Sequence, residues 1–291
     1  MLAGWMRTLS ICTMSLNFAA CAVADGDDVS AEELVDEATG AIINGNGLLL
    51  NALTPNALTP NALTPNALTP NALTPNSISP TAMTAITDPG TRGALSRELL
   101  RYIVSCALRP DQSFSFSWTD SAGTVHQEVY HGDLGFADWW VHHPLADDYQ
   151  KEWVTACLAS RTNWYGTAVM ISSRGTHQKT GSTEAERSTY KFREGAFWGN
   201  LFTSTPWVRA CYSDGWTRAV ERGRECAVGH IETDPVTGDP IARPCGAITL
   251  VGPCEYWCVV DPSNDAVPSN HFRSCGVGSY NNYNVLTTFV P

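Results

Sequence analysis

The sequence contains 291 residues, of which 18 are Lys or Arg and 29 are Asp or Glu, so its formal net charge is −11 at pH 7. This acidic balance, without any basic stripe or run, argues against a nucleic acid as the partner. The length allows one domain with a sizeable core beside additional segments.

Residues 1–20 have the pattern of a secretory signal peptide. Residues 1–10 contain a single cation, Arg7, and residues 9–20 form an apolar run that ends in small residues. The run is too short for a stop-transfer helix, so we expect it to direct export and then to be removed.

The end of the apolar run resembles a bacterial lipobox. It reads FAAC at residues 18–21, and the resemblance implies that Cys21 becomes the first mature residue and carries the lipids. The membrane would then be a partner through a lipid anchor, with the protein exported to the outer membrane or the cell surface. The alternative is ordinary signal-peptidase cleavage after Ala24, at the A-x-A sequence 22–24, which would give a secreted protein.

Two segments follow that differ in charge and in complexity. Residues 21–45 are predicted to be a solvated acidic leader, because residues 25–37 hold seven carboxylates and no cation. Residues 46–80 form seven pentapeptide units, and those at 51–75 are five identical copies of NALTP.

The pentapeptide segment is predicted to be a spacer. Each Pro fixes φ and removes a backbone donor, and the Thr before most of them is pushed toward extended geometry. Without charge or aromatic side chains, the segment has little to offset its ordering entropy. As polyproline II it would reach roughly 110 Å.

Two other interpretations of the repeat stay open. One is a short solenoid of the pentapeptide-repeat type, although Asn stands where that family has a small residue. Seven pentapeptides would also make fewer than two coils of that family, whereas about three stacked coils are needed to share a core. The other is a lectin-like or glycosylated stalk.

Residues 91–291 are predicted to form a single globular domain that begins with two helices and a hairpin. Apolar residues at helical spacing predict a helix at 94–108 and a second one at 146–162. Between them, 113–118 alternates aromatic residues with Ser, and after a turn at 120–123 the strand 125–130 returns.

The rest of the domain is predicted to consist of short strands. We expect strands at 167–173, 196–202, 207–212, 247–251, 259–260 and 285–290, a mobile polar loop at 174–189, and a short helix at 214–221. The predicted fold class is therefore α+β: two amphipathic helices with a hairpin, then a disulfide-stapled, loop-rich β region.

The cysteine count supports export. Once Cys12 is removed with the signal peptide and Cys21 is lipidated, eight remain, which is the number expected for four disulfides in an oxidising compartment. They are Cys106, Cys157, Cys211, Cys226, Cys245, Cys254, Cys258 and Cys275.

Eight cysteines allow 105 connectivities, and helix phase predicts one of the four disulfides. Cys106 and Cys157 each lie on the apolar stripe of a helix, so we expect them to pair. The other six would then pair among themselves, with Cys211–Cys226 as the first guess. Cys254 and Cys258 superficially resemble a metal knuckle, but their spacing is unusual and no second pair follows, so disulfides are favoured. No metal and no cofactor is predicted.

No catalytic residue is assigned from the sequence. It contains no Gly-x-Ser-x-Gly, phosphate loop or His-Glu-x-x-His. The group His142, His143, Asp147 and Asp148 is best explained as surface and helix-start residues. The remaining histidines are isolated in the sequence: His126, His131, His177, His230 and His271.

Aromatic residues near predicted turns suggest stacking platforms for sugars or peptide side chains. They are Trp139, Trp140, Trp164, Tyr165 and Trp257. The alternative is that these side chains fill the core of the domain.

The chain resembles a group of uncharacterised exported proteins of myxobacteria, which share a lipoprotein-like leader, an Asn-Ala-Leu-rich repeat and a Cys-containing domain. The segments that support the resemblance are LLRYIVSCAL (99–108), ACLASRTNWYG (156–166), EGAFWGNLF (194–202) and CAVGH (226–230). The resemblance implies no particular activity.

Two classes of function follow from these features. The tether and the aromatic content favour a surface-displayed binding or adhesion lipoprotein with a glycan or protein ligand. The alternative is an exported hydrolase that acts on an extracellular polymer. A deep pocket that gathers His and carboxylate groups would favour the enzyme, and a flat aromatic patch would favour the binding protein.

Overall fold

The computed structural model describes residues 34–36, 41–45, 47–48, 51–52, 80–262, 266–278 and 280–291. Within these ranges the α-helices are α1 Pro80–Thr87, α2 Thr91–Ala107, α3 Asp148–Arg161, α4 Glu184–Thr189 and α5 Trp216–Glu221. The 3₁₀ helices are Asp138–Val141, Gln178–Thr180 and Cys254–Tyr256. The first eight strands are β1 Leu34–Asp36, β2 Ala41–Gly45, β3 Gly47–Leu48, β4 Asn51–Ala52, β5 Ser113–Thr119, β6 Val125–His131, β7 Met170–Arg174 and β8 Phe192–Asn200. The others are β9 Trp207–Tyr212, β10 His230–Thr233, β11 Pro240–Arg243, β12 Ile248–Pro253, β13 Cys258–Val260, β14 Phe272–Val277, β15 Tyr280–Asn282 and β16 Leu286–Val290.

A seven-stranded mixed sheet forms the centre of the fold, with the strand order β1-β2-β7-β16-β8-β9-β12. The last strand of the chain, β16, lies between β7 and β8 and is antiparallel to both. All five of its residues are buried, as expected for a central strand covered on both faces. Helices and sheets are both present, as the α+β prediction requires.

The two faces of this sheet are covered by different layers. Successive side chains of β8 point to opposite faces of the sheet. Phe197 therefore lies in a first hydrophobic cluster, which also contains residues of α2 and α3, whereas Ala196 and Trp198 lie in a second hydrophobic cluster on the opposite face. On that opposite face lies the small sheet β13-β14-β15, which contributes Phe272 and Cys275 to the second cluster.

The helical layer follows the hydrophobic pattern of the sequence. α2 ends before Arg109-Pro110, because a residue that precedes Pro avoids helical geometry. Asp147 caps α3, accepting a hydrogen bond from the Tyr149 N–H at 3.0 Å. The β5–β6 hairpin buries Phe114 and Phe116 on one side, as their alternation with Ser predicted. α1 precedes the predicted start of the domain, yet Ala82 and Ile86 are buried in the same core.

The prediction of a mobile polar loop at 174–189 is wrong. This segment contains a 3₁₀ turn and α4, and buried charged groups fix it in place. Arg174 donates to the carbonyl of Tyr190 at 2.6 Å, and Ser172 donates to Glu186 at 2.5 Å. The segment has no regular hydropathy pattern because its polar side chains make hydrogen bonds in the interior. A hydropathy pattern does not reveal such bonds.

The C-terminal part is also more regular than predicted. The antiparallel pair β10–β11 and the strands β14 and β15 were not expected from the sequence. Strands β1 and β2 lie within the predicted leader, and β2 pairs with β7 at the edge of the large sheet.

Most of the predicted spacer, residues 53–79, and Cys21 lie outside the described residues. No helix among the described residues has the length and hydropathy of a membrane span.

Candidate functional site

A cavity of about 360 Å³ opens where β8 ends and β9 begins. Its lining residues are Glu152, Trp198, Trp207, Arg209, Asn281 and Asn282. They come from α3, from the two neighbouring strands and from β15. The volume lies in the lower part of the range of ligand sites, roughly 300–1,000 Å³.

The strand pairing explains why three of these side chains meet. Trp198 lies directly opposite Arg209 in the β8–β9 register, so both project from the same face. Trp207 is two residues before Arg209 and therefore shares that face. Gly199, between Trp198 and Asn200, has φ +150°, and a Cβ there would lie 2.4 Å from the carbonyl oxygen of Trp207. A glycine is thus required for the two strands to approach each other at the cavity.

Arg209 is held over an aromatic ring with its donors available. Its guanidinium carbon lies 4.9 Å from the centre of the Trp207 ring. Among the residues that the structure describes, its nitrogens have no hydrogen-bond acceptor, so the ring alone orients the group. Such a guanidinium can donate to the hydroxyl or carboxylate oxygens of a ligand.

The carboxylate of the cavity is oriented by an amide. Asn284 donates from Nδ2 to Oε2 of Glu152 at 2.6 Å, which fixes the carboxylate and satisfies one of its oxygens. The cavity therefore presents one carboxylate, one guanidinium, two Asn amides and an aromatic floor. Retaining and inverting glycoside hydrolases generally need two carboxylates, whereas Glu152 is the only acidic residue in this described lining.

A second group of chemically active side chains lies elsewhere, around His230. Glu225, which is buried, accepts a hydrogen bond from Nδ1 of His230 at 2.5 Å. The imidazole stacks on Trp164 with ring centres 4.2 Å apart, and the Tyr165 ring meets it edge-on. Desolvation, with a hydrogen bond to Glu225, raises the pKa of Tyr165 above its usual value. The other imidazole nitrogen, Nε2, has no partner among the described residues.

Each predicted cysteine of the domain is bonded, in the pairs Cys106–Cys157, Cys211–Cys254, Cys226–Cys245 and Cys258–Cys275. The prediction of Cys106–Cys157 is confirmed. The guess of Cys211–Cys226 is wrong, because these two residues belong to clusters on opposite faces of the sheet.

The predicted histidine and aspartate group stays dispersed at the surface. His142 and His143 are exposed, and Asp147 serves as the helix cap described above. His177 lies instead among aromatic rings, and the centre of its ring is 5.0 Å from that of Phe136 and 5.2 Å from that of Trp153. His126 stacks on Trp118. His271 is buried, and its Nδ1 lies 2.9 Å from Oγ of Ser269. His131 is exposed.

None of the predicted aromatic platforms lines the cavity. Trp140 is buried, Trp139 is 66% exposed and Tyr165 is 56% exposed. Trp164 stacks on His230, and Trp257 is half-buried with an indole N–H that has no acceptor within the described parts of the chain. The sequence did contain a signal for the platform that forms, because Trp207 and Arg209 alternate within a correctly predicted strand.

Comparison with known proteins gives no further guide to the site, since no family model, curated protein or solved structure matches the chain.

Proposed function

We propose that this protein is an exported, surface-displayed binding module and that the cavity at Trp207 and Arg209 binds a saccharide. The observation that carries the proposal is the Arg209 guanidinium, which lies over Trp207 without an acceptor among the described residues and lines the same cavity as Glu152.

The residue types in the cavity suit a sugar. An aromatic ring can pack against the apolar face of a pyranose, while its hydroxyls donate to a carboxylate and accept from guanidinium and amide groups. Glu152 is already oriented by Asn284, so little side-chain entropy would be lost when a ligand binds.

The rest of the domain serves as the scaffold in this proposal. The α2–α3 pair, with its disulfide and the β5–β6 hairpin, fixes the helix that presents Glu152. The disulfide-stapled β region supplies the remaining lining residues. A lipid on Cys21 would hold the domain at the membrane through residues 22–40, because β2 at 41–45 already pairs with β7 of the large sheet.

The test is a glycan and peptidoglycan binding screen on residues 22–291, followed by titration of the best ligand. Trp207→Ala should weaken binding at least about tenfold, because the aromatic contact and the orientation of Arg209 are lost together. Arg209→Lys should give an intermediate loss, since an ammonium keeps the charge without the planar fork.

Trp139→Ala is the matched control, because this Trp is exposed and lies outside the described lining. It should bind as the parent does, and all variants should keep the parent melting temperature within about 3 °C. Equal affinity in the parent and in Trp207→Ala, or an equal loss in Trp139→Ala, would contradict a saccharide site here.

A second candidate, an exported hydrolase, is favoured by the Glu225–His230 pair. A buried carboxylate that holds Nδ1 orients the imidazole and leaves Nε2 to act as a general base toward water or a hydroxyl. Hydrolysis of an ester or glycan substrate by the parent should then fall at least about 100-fold in His230→Gln. Activity that survives this substitution would eliminate the pair as the catalytic centre.

A further inference from the structure

Four cysteine sulfurs meet on the second face of the large sheet. Cys211 comes from β9, Cys254 from the 3₁₀ turn after β12, and Cys258 and Cys275 from the facing strands β13 and β14. They form two disulfides, but the disulfides lie against each other: Sγ of Cys211 is 3.5 Å from Sγ of Cys258. The sulfurs of Cys211, Cys258 and Cys275 all lie within 4.8 Å of one another.

This spacing suits a tetrahedral thiolate site. With metal–sulfur bonds of about 2.3 Å, the sulfurs of such a site are about 3.8 Å apart. The distance of 3.5 Å between Sγ of Cys211 and Sγ of Cys258 is already close to this value. The sequence did not predict the set, because Cys254 and Cys258 had no second pair nearby, and the fold supplies Cys211 and Cys275 from distant strands.

We propose that reduction of these two disulfides converts the tetracysteine cluster, defined as Cys211, Cys254, Cys258 and Cys275, into a binding site for Zn²⁺ or a similar thiophilic divalent cation. The reductant is a pair of thiols, which supplies two electrons and two protons to each disulfide and becomes a disulfide itself, or a phosphine, which supplies two electrons and becomes the phosphine oxide while water supplies the oxygen and the two protons. The four thiols then lose four protons as the cation binds, leaving a complex with four metal–sulfur bonds and a charge of −2.

The surroundings of the cluster support this assignment. Ala196, Trp198 and Phe272 form an apolar shell that would exclude water from the metal. Cys258 is only half-buried, whereas the other three cysteines are buried, so its sulfur is the point of entry for a reductant. The backbone of three strands and a 3₁₀ turn, paired independently of the disulfides, would keep the four residues near each other.

The other two disulfides provide matched controls within the same chain. Cys106–Cys157 and Cys226–Cys245 are each also formed by buried cysteines. Neither belongs to a group of three or more metal-capable residues among the described parts of the chain. A non-specific affinity of reduced cysteines for zinc would therefore involve all eight, whereas the proposed site involves four.

The test reduces the full mature chain with a phosphine under argon, adds Zn²⁺ and removes the excess by gel filtration. We expect one equivalent of zinc per chain and protection of four of the eight thiols from a thiol-reactive dye. Replacement of Zn²⁺ by Cd²⁺ should give the ultraviolet charge-transfer absorption of cadmium thiolates. The double variants Cys106→Ser/Cys157→Ser and Cys226→Ser/Cys245→Ser should still retain one equivalent.

Two variants of the cluster should lose the metal: Cys211→Ser/Cys275→Ser, which removes one sulfur from each disulfide, and the less buried Cys258→Ser. Far-ultraviolet circular dichroism follows the fold, and zinc should restore any helical signal that reduction removes from the parent. Absence of bound zinc in the reduced parent overturns the proposal. So does retention by the cluster variants, or an equal loss in the control variants.

Discussion

Arg224 and Glu194 form an ion pair in the interior of the domain, with Nη2 of the arginine 2.9 Å from Oε2 of the glutamate and both side chains 1% exposed. The same Nη2 donates to the carbonyl of Ser160 at the end of α3, so the pair joins the helical layer to β8. One atom of each partner, Nη1 of Arg224 and Oε1 of Glu194, is buried without a hydrogen bond to any residue that the structure describes.

The first prediction follows from this burial. Glu194→Ala should lower the free energy of unfolding by about 3–5 kcal/mol, because it leaves a buried guanidinium without its counterion. The double replacement Arg224→Met/Glu194→Leu should recover most of that loss, since both desolvated charges are then absent. Urea denaturation of the three proteins measures both values. A single variant that is as stable as the parent would show that the pair is solvated.

The second prediction concerns the disulfide that joins α2 to α3. Cys106 and Cys157 are 51 residues apart in the sequence, and their sulfurs are bonded in the core. Cys106→Ala/Cys157→Ala should lower the free energy of unfolding by about 4 kcal/mol, mostly because the unfolded chain gains freedom. The control is the parent in denaturant with and without a phosphine. A loss below about 1 kcal/mol would mean that packing alone holds the two helices together.

The success of this pairing and the failure of Cys211–Cys226 show what the sequence can reveal. Within a helix, the 3.6-residue period determines the face of Cys106 from its neighbours alone. The partner of Cys211 depends on which face of a strand it occupies and on where residue 254, 43 positions later, returns. The period of the sequence therefore indicates the face of Cys106, but it carries no information about the partner of Cys211.

The same distinction applies to the candidate site. Trp207 and Arg209 lie in a strand whose ends were predicted correctly, and their shared face follows from alternation. Glu152 and Asn284, in contrast, are 132 positions apart and meet only because β16 inserts between β7 and β8. No local pattern predicts the insertion of a C-terminal strand at the centre of a sheet.

The third prediction tests the anchor. Cells that express the protein with a labelled fatty-acid analogue should incorporate the label, and a Cys21→Ser variant should not. Cys12→Ser, which changes a cysteine inside the apolar run, is the matched control and should be labelled as the parent is. Label retained in Cys21→Ser would eliminate the lipid anchor and favour cleavage after Ala24.

The fourth prediction tests the repeat. Deletion of three NALTP units should leave the melting temperature of the domain unchanged within about 1 °C, because a spacer contributes no packing to the core. Differential scanning calorimetry of the two proteins measures this. A decrease of several degrees would show that the repeat is a structural element rather than a spacer.

The last prediction concerns the pH dependence of stability at His177. Desolvation, and then repulsion by Lys179, lower the pKa of His177 from 6.5 to about 4. The neutral imidazole also has a structural role, because its Nδ1 accepts a hydrogen bond from the Lys179 N–H at 3.0 Å, and protonation would remove that acceptor. Between the two values the unfolded chain binds the proton more readily than the folded protein.

The contribution of His177 to stability is therefore complete above its unfolded pKa of 6.5 and is lost as the pH falls toward about 4. Allowing for the partial exposure of the ring, we expect a loss of about 2 kcal/mol across this window. His177→Asn keeps an acceptor for the Lys179 N–H but does not titrate there. Urea denaturation at intervals between pH 4 and pH 7 should thus give a shallower slope for the variant, although its lost aromatic contacts lower stability at every pH. Parallel slopes for the two proteins would show that His177 is protonated in the folded state as readily as in the unfolded one.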